Sequence, residues 1–544
     1  MKRRAQFPDS YTYTILLRGM EINANDSGAL ARALSVYHSM FAPNSRVTPS
    51  IIHTNVMLKV CARAMDMDAL WGVAAKISET GRAGANAITY SIILSAIRQS
   101  LIVDVPLGET EEQVATRRER GMVEARRIWE DVVTKWQNAD IVIDEELVCT
   151  MGRLLLISNR PRDWDDVLSL VEQTMDIPRM VPRLGTRERT EAGYPHLRAT
   201  QVLEQFRLAD DHLSPHKDAA VRGDEFLALS PKGALSKHLT FATPSNNTLS
   251  MVQEACQKIA ATRASHEYWD LLTDPGTYAI EPDANNMNQR LRILRQQRVS
   301  EQAVKLLQKG FIAKNLVPRP GTFRIVMSTC ARDKNNHNSL RHGSAVLEIM
   351  LDTLPDVDPK TVSMYAGLAS AFPLAKGLDL VDALTYLRPC VRNLRIQLDI
   401  GTVSGEMKGF SKDRTLVGEE WKDAMHALRQ VYGLFDKLVN SDLLAESDKR
   451  PFKKERAVLA AFLNREAFRE KLRLSRLGKT DKGESTESGD GEPAVEKADG
   501  VEGGSVGADG NPGVLGYLRK TSSWRERTVV PAEDRRPWFS PGAM

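Results

Sequence analysis

Residues Pro8–Met20 read PDSYTYTILLRGM, and the reading of this stretch decides the fold. A proline and an aspartate lead into a Tyr-Thr-Tyr-Thr step and then an apolar run, the signature of a chain leaving one helix and starting another. The step returns as PSIIHTNVML at Pro49, ANAITYSIIL at Ala85 and IDEELVCTMG at Ile143. It returns again as PSNNTLSMV at Pro244, PDANNMNQRL at Pro282, PRPGTFRIVM at Pro318 and PKTVSMYAGL at Pro359. Units counted from the residue after each joint begin at Ser10, Ile51, Ala87, Glu145, Asn246, Ala284, Pro320 and Thr361, with clean spacings of 41, 36, 38, 36 and 41 residues.

Each unit carries a first apolar helix, a break such as NANDSG or RDKNNHNS, and a second helix. In the first unit Ala33, Leu34, Tyr37 and Met40 make a helical stripe with a small residue where another helix can come close. Parts of that stripe recur at Ala125, Ile128, Trp129 and Val132 and around Ala303. A two-helix unit of this size cannot bury its apolar face alone, so the units must stack. The expected fold is therefore an all-α, right-handed superhelical solenoid of helix-turn-helix repeats.

The totals fit. The chain has 544 residues, too many for one core, with 42% hydrophobic and 26% charged residues and only 6% aromatics. Its net charge of +4 is too balanced to indicate nucleic acid by itself, because binding needs a local basic surface. No uncharged apolar stretch is long enough for a membrane span. The five cysteines, Cys61, Cys149, Cys256, Cys330 and Cys390, form no CxxC pair and read as buried free thiols. The basic MKRRAQF start is too short for a transit peptide, and we expect that a preceding segment has been left out.

The expected layout is a repeat block over 1–185, an irregular linker or insertion over 186–240 and a second block over 241–400. Capping helices follow over 401–476, then a disordered acidic tether with a short aromatic and basic tail over 477–544. Ser100–Arg120 reads as a charged loop, and one short helix is expected around Thr200–Leu208. The tail aromatics Tyr517, Trp524, Trp538 and Phe539 read either as a docking peptide or as a frayed end. Lys449, Arg450, Lys453, Lys454, Arg456, Arg465, Arg469, Lys471, Arg473 and Arg476 make the best local cation surface, with an ordinary mixed-charge face as the alternative.

Motifs for catalysis fail on spacing. LGKT at Leu477 lacks the upstream glycine of a phosphate loop, Arg473 standing there instead. His337 and His342 beside Cys330 are too loosely spaced for zinc and read as a solvated loop. TVSGEMKG near Ser404 has Thr402 where a nucleophile elbow needs glycine. Asp165–Asp166 and Glu111–Glu112 lie in charge-rich segments with no pocket implied. We expect no enzyme, no cofactor and no small-molecule substrate.

A unit of about 35 residues ending Pro-Asp, restarting Val-Thr-Tyr-Asn-like, with Ala and Met seven apart in its second helix, resembles the pentatricopeptide repeat. PDSYTYT, NAITYSIIL and EPDANNMNQRL carry that resemblance over roughly 1–185 and 241–400. It implies a groove lined by first helices that binds single-stranded RNA at about one base per unit. The implied readers are Thr14 with Ser50, Asn55 with Asn86, Ser91 with Asp144, and Ser250 with Asp283, with Ile52 and Ile88 separating successive bases. Asn288 with Arg319, and Arg324 in the next unit, depart from the pattern and suggest arginine binding to phosphate, or to protein. The plain alternative for each polar residue is a solvated helix start or an N-cap.

The implied function is a non-catalytic RNA-binding adaptor in the mitochondrial matrix. It would act in RNA processing, stability or translation, on ribosomal or messenger RNA, with the mitoribosome or processing proteins as partners. The arrangement looks like the fungal factors that act on small-subunit ribosomal RNA. A helical scaffold for a protein partner is the second expectation.

Overall fold

The computed structural model describes residues 7–79, 81, 83–103, 108–195, 197–203, 206, 226–227, 240–398, 416 and 418–480, with side chains in the last helix given to Phe468. Most of the 186–240 segment, the 481–544 tail and the side chains of Arg469, Lys471, Arg473 and Arg476 lie outside the described residues, and of the helix expected at Thr200–Leu208 the described residues 200–203 form a turn and not a helix.

Among the described residues there are helices and no strand. First helices are α1 (Ser10–Ile22), α3 (Ile51–Arg63), α5 (Ala87–Ile102), α7 (Glu145–Leu155), α10 (Asn246–Lys258), α12 (Ala284–Gln297), α14 (Pro320–Arg332) and α16 (Pro359–Ala371). Second helices are α2 (Ala29–Ser39), α4 (Met67–Ala74), α6 (Glu111–Gln137), α8 (Pro161–Met175), α11 (Thr262–Thr273), α13 (Ser300–Leu306), α15 (Ser339–Thr353) and α17 (Gly377–Gln397). A π-turn, Leu307–Ile312, extends α13, and a short α9 (Arg187–Glu191) follows α8. α18 (Glu419–Asn440) and α19 (Glu446–Thr480) come last.

Every first helix packs on the next, α1 on α3, α3 on α5 and onward to α16 on α18, so the units form an α-solenoid. The joints work as helix starts. Asp9, Asn86, Asp144, Asp283 and Asp358 each accept a backbone N–H from the first turn of the helix they open. The second-helix stripe supplies the packing: Ala33, Tyr37, Ala125, Trp129, Val132 and Ala303 are fully buried. Each large side chain removed from water this way contributes about 1.5–3 kcal/mol.

Three expectations need correction. The eighth unit opens at Pro359, not Thr361, because Asp358 is the cap and Pro359 takes the first helical position, where its missing N–H costs nothing. Much of Ser100–Arg120 is helical: α5 runs to Ile102, and a Thr110–Gln113 capping box starts α6 at Glu111. His342 does not sit in a solvated loop. It lies in α15, with Nδ1 2.8 Å from the hydroxyl of buried Ser300.

Residues that look like a break in the sequence are bound into the stack. α10 packs directly on α7 and α8, and one continuous hydrophobic cluster runs from Leu17 to Ile280. At Gly152 of α7 an added Cβ would overlap the Met251 thioether of α10, so any larger residue there requires Met251 to shift. After α8 the chain is held by a buried knot of charge. Asp165 takes Arg179 at 2.8 Å and Arg189 at 3.5 Å, and Asp166 takes Arg126 at 2.7 Å. Burial raises the Asp166 carboxyl to about 7 despite Arg126. Sequence reading left these aspartates without a role because their partners lie far along the chain.

Candidate nucleic-acid interface

In a helix, positions 2, 9 and 13 fall on one face. On the first helices that face is open to solvent. Position 2 carries Tyr11, Ile52 and Ile88, which are 72%, 56% and 51% exposed. Position 9 carries Lys59, Arg153 and Arg292, and position 13 carries Arg63, Lys258 and Arg332. Arg98 and Arg295 add a cation at position 12. On α3 and α5 an exposed apolar residue is thus followed, deeper along the helix, by a cation, whereas α7, α12 and α14 carry Glu146, Asn285 and Gly321 ahead of theirs.

Few of these cations are neutralised. Arg63 pairs with Glu21 at 3.2 Å. Lys59, Arg98, Arg153, Arg292 and Arg332 have no ion-pair partner among the described residues. They also act on one another: burial, then nearby Arg153, depress the Arg98 guanidinium, while Glu254 opposes them. Burial, Arg332 and Arg292 do the same to Arg295. Cations that weaken each other are stabilised by an arriving polyanion. Sequence reading missed this row. Its signal was a basic residue nine or thirteen places into successive units.

The nine residues expected to read bases behave in three ways. Some are locked to the next unit. Asn55, 7% exposed, donates from Nδ2 to Asn86 Oδ1 at 3.2 Å and accepts from Thr89 Oγ1 at 2.8 Å. Asn288 accepts from Thr322 Oγ1 at 2.8 Å instead of meeting Arg319. Others serve their own helix: Thr14 donates to the Ser10 carbonyl at 3.1 Å, the Ser50 hydroxyl meets His53 Nδ1 at 2.9 Å, and Asp144 and Asp283 are caps. Ser250 is half-buried in α10. Ser91 differs from all of them: it is 5% exposed, and its Oγ has no hydrogen-bond partner among the described residues.

The expectation that Arg324 offers its charge to phosphate or protein is corrected. It makes a two-pronged ion pair with Asp358, with Nε 2.9 Å from Oδ2, and that bond holds the guanidinium above its ordinary value. The C-terminal basic helix is likewise partly consumed: Lys449 and Lys453 both meet Glu446, and Arg456 meets Asp436 at 2.7 Å. The described half of α19 is a mixed-charge surface. All five cysteines are buried and free, with thiols pushed up to about 12 by burial.

Stacked two-helix units with capped joints define a helical-repeat protein. No family model matches the chain. Over 194 residues it is 25% identical to "Pentatricopeptide repeat-containing protein 2, mitochondrial" of Schizosaccharomyces pombe, a match covering 32% of this chain and 39% of that relative. The chain therefore spans about two-fifths of that relative's length. Among solved structures it is similar to the pentatricopeptide repeat protein PPR10 in complex with an 18-nt psaJ RNA element, at 12% identity, with a TM-score of 0.24, over 79% of this chain and 56% of that one. It is also similar to PPR10 from maize, at 12% identity and a TM-score of 0.17, over 86% and 75% of the two chains. In its repeat unit and in this match the chain is similar to pentatricopeptide repeat proteins.

Proposed function

We propose that the chain is a non-catalytic adaptor that binds single-stranded RNA along its first helices and tolerates most base sequences. The observation that carries this reading is the open face where exposed Ile52 and Ile88 sit ahead of Lys59 and Arg98, with Arg153, Arg292 and Arg332 on later first helices, none of the five in an ion pair among the described residues. Apolar side chains one unit apart can hold bases between them, while cations deeper along the helices meet the phosphates. Tolerance follows from the locked positions. A base must displace an existing hydrogen bond at Asn55 or Asn288, so little is gained there. The name of the curated relative supports a mitochondrial setting, and in that setting RNA processing, stability or translation is the role we assign.

A salt titration of a fluorescent single-stranded RNA tests the reading. The logarithm of the binding constant should fall linearly with log salt, losing about 0.7 in slope for each phosphate contact removed. Arg153→Glu with Arg292→Glu should weaken binding and flatten that slope. Affinity independent of salt, or unchanged in the double variant, would favour a scaffold for a protein partner instead.

A further inference from the structure

We propose that the cleft walled by α17, α18 and α19 binds an anionic amphiphile, an unbranched acyl chain ending in a carboxylate. The cleft encloses about 280 Å³, near the lower edge of the range for small-ligand sites. It exists because α19 is held off the helices beneath it. Ion pairs Arg388–Glu455 and Arg456–Asp436, both at 2.7 Å, and the buried side chains of Phe452, Leu459 and Phe462 anchor that helix. Between these anchors no described residue fills the space.

The lining selects the tail. Leu387 and Val391 of α17, Val431 of α18 and Val458 of α19 give an aliphatic wall, and Phe435 is the single aromatic side chain in it among the described residues. Flexible methylenes fit such a wall better than a rigid ring system, and each one buried there adds to the affinity. The rim selects the head. Arg388, Arg392 and Arg395 follow one another at helical spacing on one face of α17, and Lys454 stands across from them. Glu455 is the one carboxylate in the lining, and Arg388 already holds it.

Arg395 supplies the most specific sign. Its Nε is buried without an acceptor, and its guanidinium lies 5.1 Å from the centre of the Phe462 ring. A buried donor lacking a partner is unfavourable, and a carboxylate at the mouth would offer this guanidinium an acceptor. This site was not foreseen from the sequence, since its walls come from segments far apart in the chain. It lies on the last helices and stands whether or not the first-helix face binds RNA.

Calorimetric titration with decanoate below its micelle concentration is the test. We expect saturable binding at one site, and about tenfold weaker binding of decyltrimethylammonium. Val391→Trp should fill the cleft and abolish binding; Val458→Trp, at a half-exposed position, does the same with less risk to folding. Arg392→Ala with Arg395→Gln should weaken decanoate about tenfold and leave decanol unchanged. Vesicles containing phosphatidylglycerol separate the two sources of an acyl anion. Co-sedimentation that decanoate competes away assigns the tail to a membrane lipid, and decanoate binding without co-sedimentation assigns it to a free fatty acid. No saturable binding, equal binding of the cationic amphiphile, or affinity unchanged in both tryptophan variants would overturn the proposal.

Discussion

Two neighbouring junctions of the stack reverse what their sequences suggest. α5 and α7 belong to consecutive units, yet the side chain between them, Ser91, finds no partner. α7 and α10 are separated by the whole 186–240 segment, yet they are bonded more thoroughly than any other pair described here. Glu145 reaches across and accepts the backbone N–H of Ser245 at 2.9 Å, that of Thr248 at 3.0 Å and the Thr248 hydroxyl at 2.7 Å. It caps α10 from the previous unit, where Ser245 makes no side-chain cap of its own. The third residue of the following helix decides the outcome. Thr89, Thr248 and Thr322 close their junctions, whereas Leu147 has nothing to offer Ser91.

Removing the Glu145 clamp should have the largest effect. Glu145→Ala leaves the first turn of α10 without acceptors, and a loss of about 2–4 kcal/mol is expected in urea unfolding. A loss below about 0.5 kcal/mol would show that the bridged junction is held by packing alone.

The charge knot beside that junction predicts a pH dependence. The Asp166 carboxyl lies near 7 in the folded chain against an ordinary 3.8, chiefly through burial. Folding therefore favours its proton. The stabilisation is complete below about pH 3.8 and is lost as the pH rises through about 7, with a slope of at most about 1.4 kcal/mol per pH unit. Asp166→Asn should fall less steeply than the parent over that window in paired unfolding curves. Parallel curves would mean that Asp166 is ionised throughout.

At the continuous junctions the effects are smaller. Thr89→Val removes bonds to Asn55 and Asn86 at 2.8 and 2.9 Å, and should cost about 1–2 kcal/mol. Ser91→Ala should move stability by less than about 0.5 kcal/mol, because no protein bond is lost. The same change should leave RNA binding within about twofold of the parent, because the Ser91 hydroxyl is buried and a base on the open face does not reach it. Anisotropy titrations of Ser91→Ala and Asn55→Ala make that comparison, and a severalfold loss in either variant would return a reading role to that residue.

The joints were legible because capping is local. Asp9, Asn86, Asp144 and Asp283 act within three residues of themselves, so a repeated short string reveals them. The start of α6 was hidden because EEQVATRRERG is charged throughout, and an exposed helix of that composition looks like a loop until its Thr110 cap is recognised. The state of the reader residues could not be read at all. Asn288 finds Thr322 one unit later, at a place the pairing scheme of the resemblance does not consider, and Arg324 finds Asp358, which the scheme reaches only once the next unit is seen to open at Pro359. Their freedom depends on how closely two units approach, which spacing alone does not fix.

Crosslinking tests the central claim most directly. A single-stranded RNA carrying 4-thiouridine, irradiated with the full chain and mapped by peptide mass, should mark α3, α5 and α7 around Ile52, Ile88 and Arg153. Marks confined to the second helices α4, α6 and α8, or none that unlabelled RNA competes away, would contradict the account.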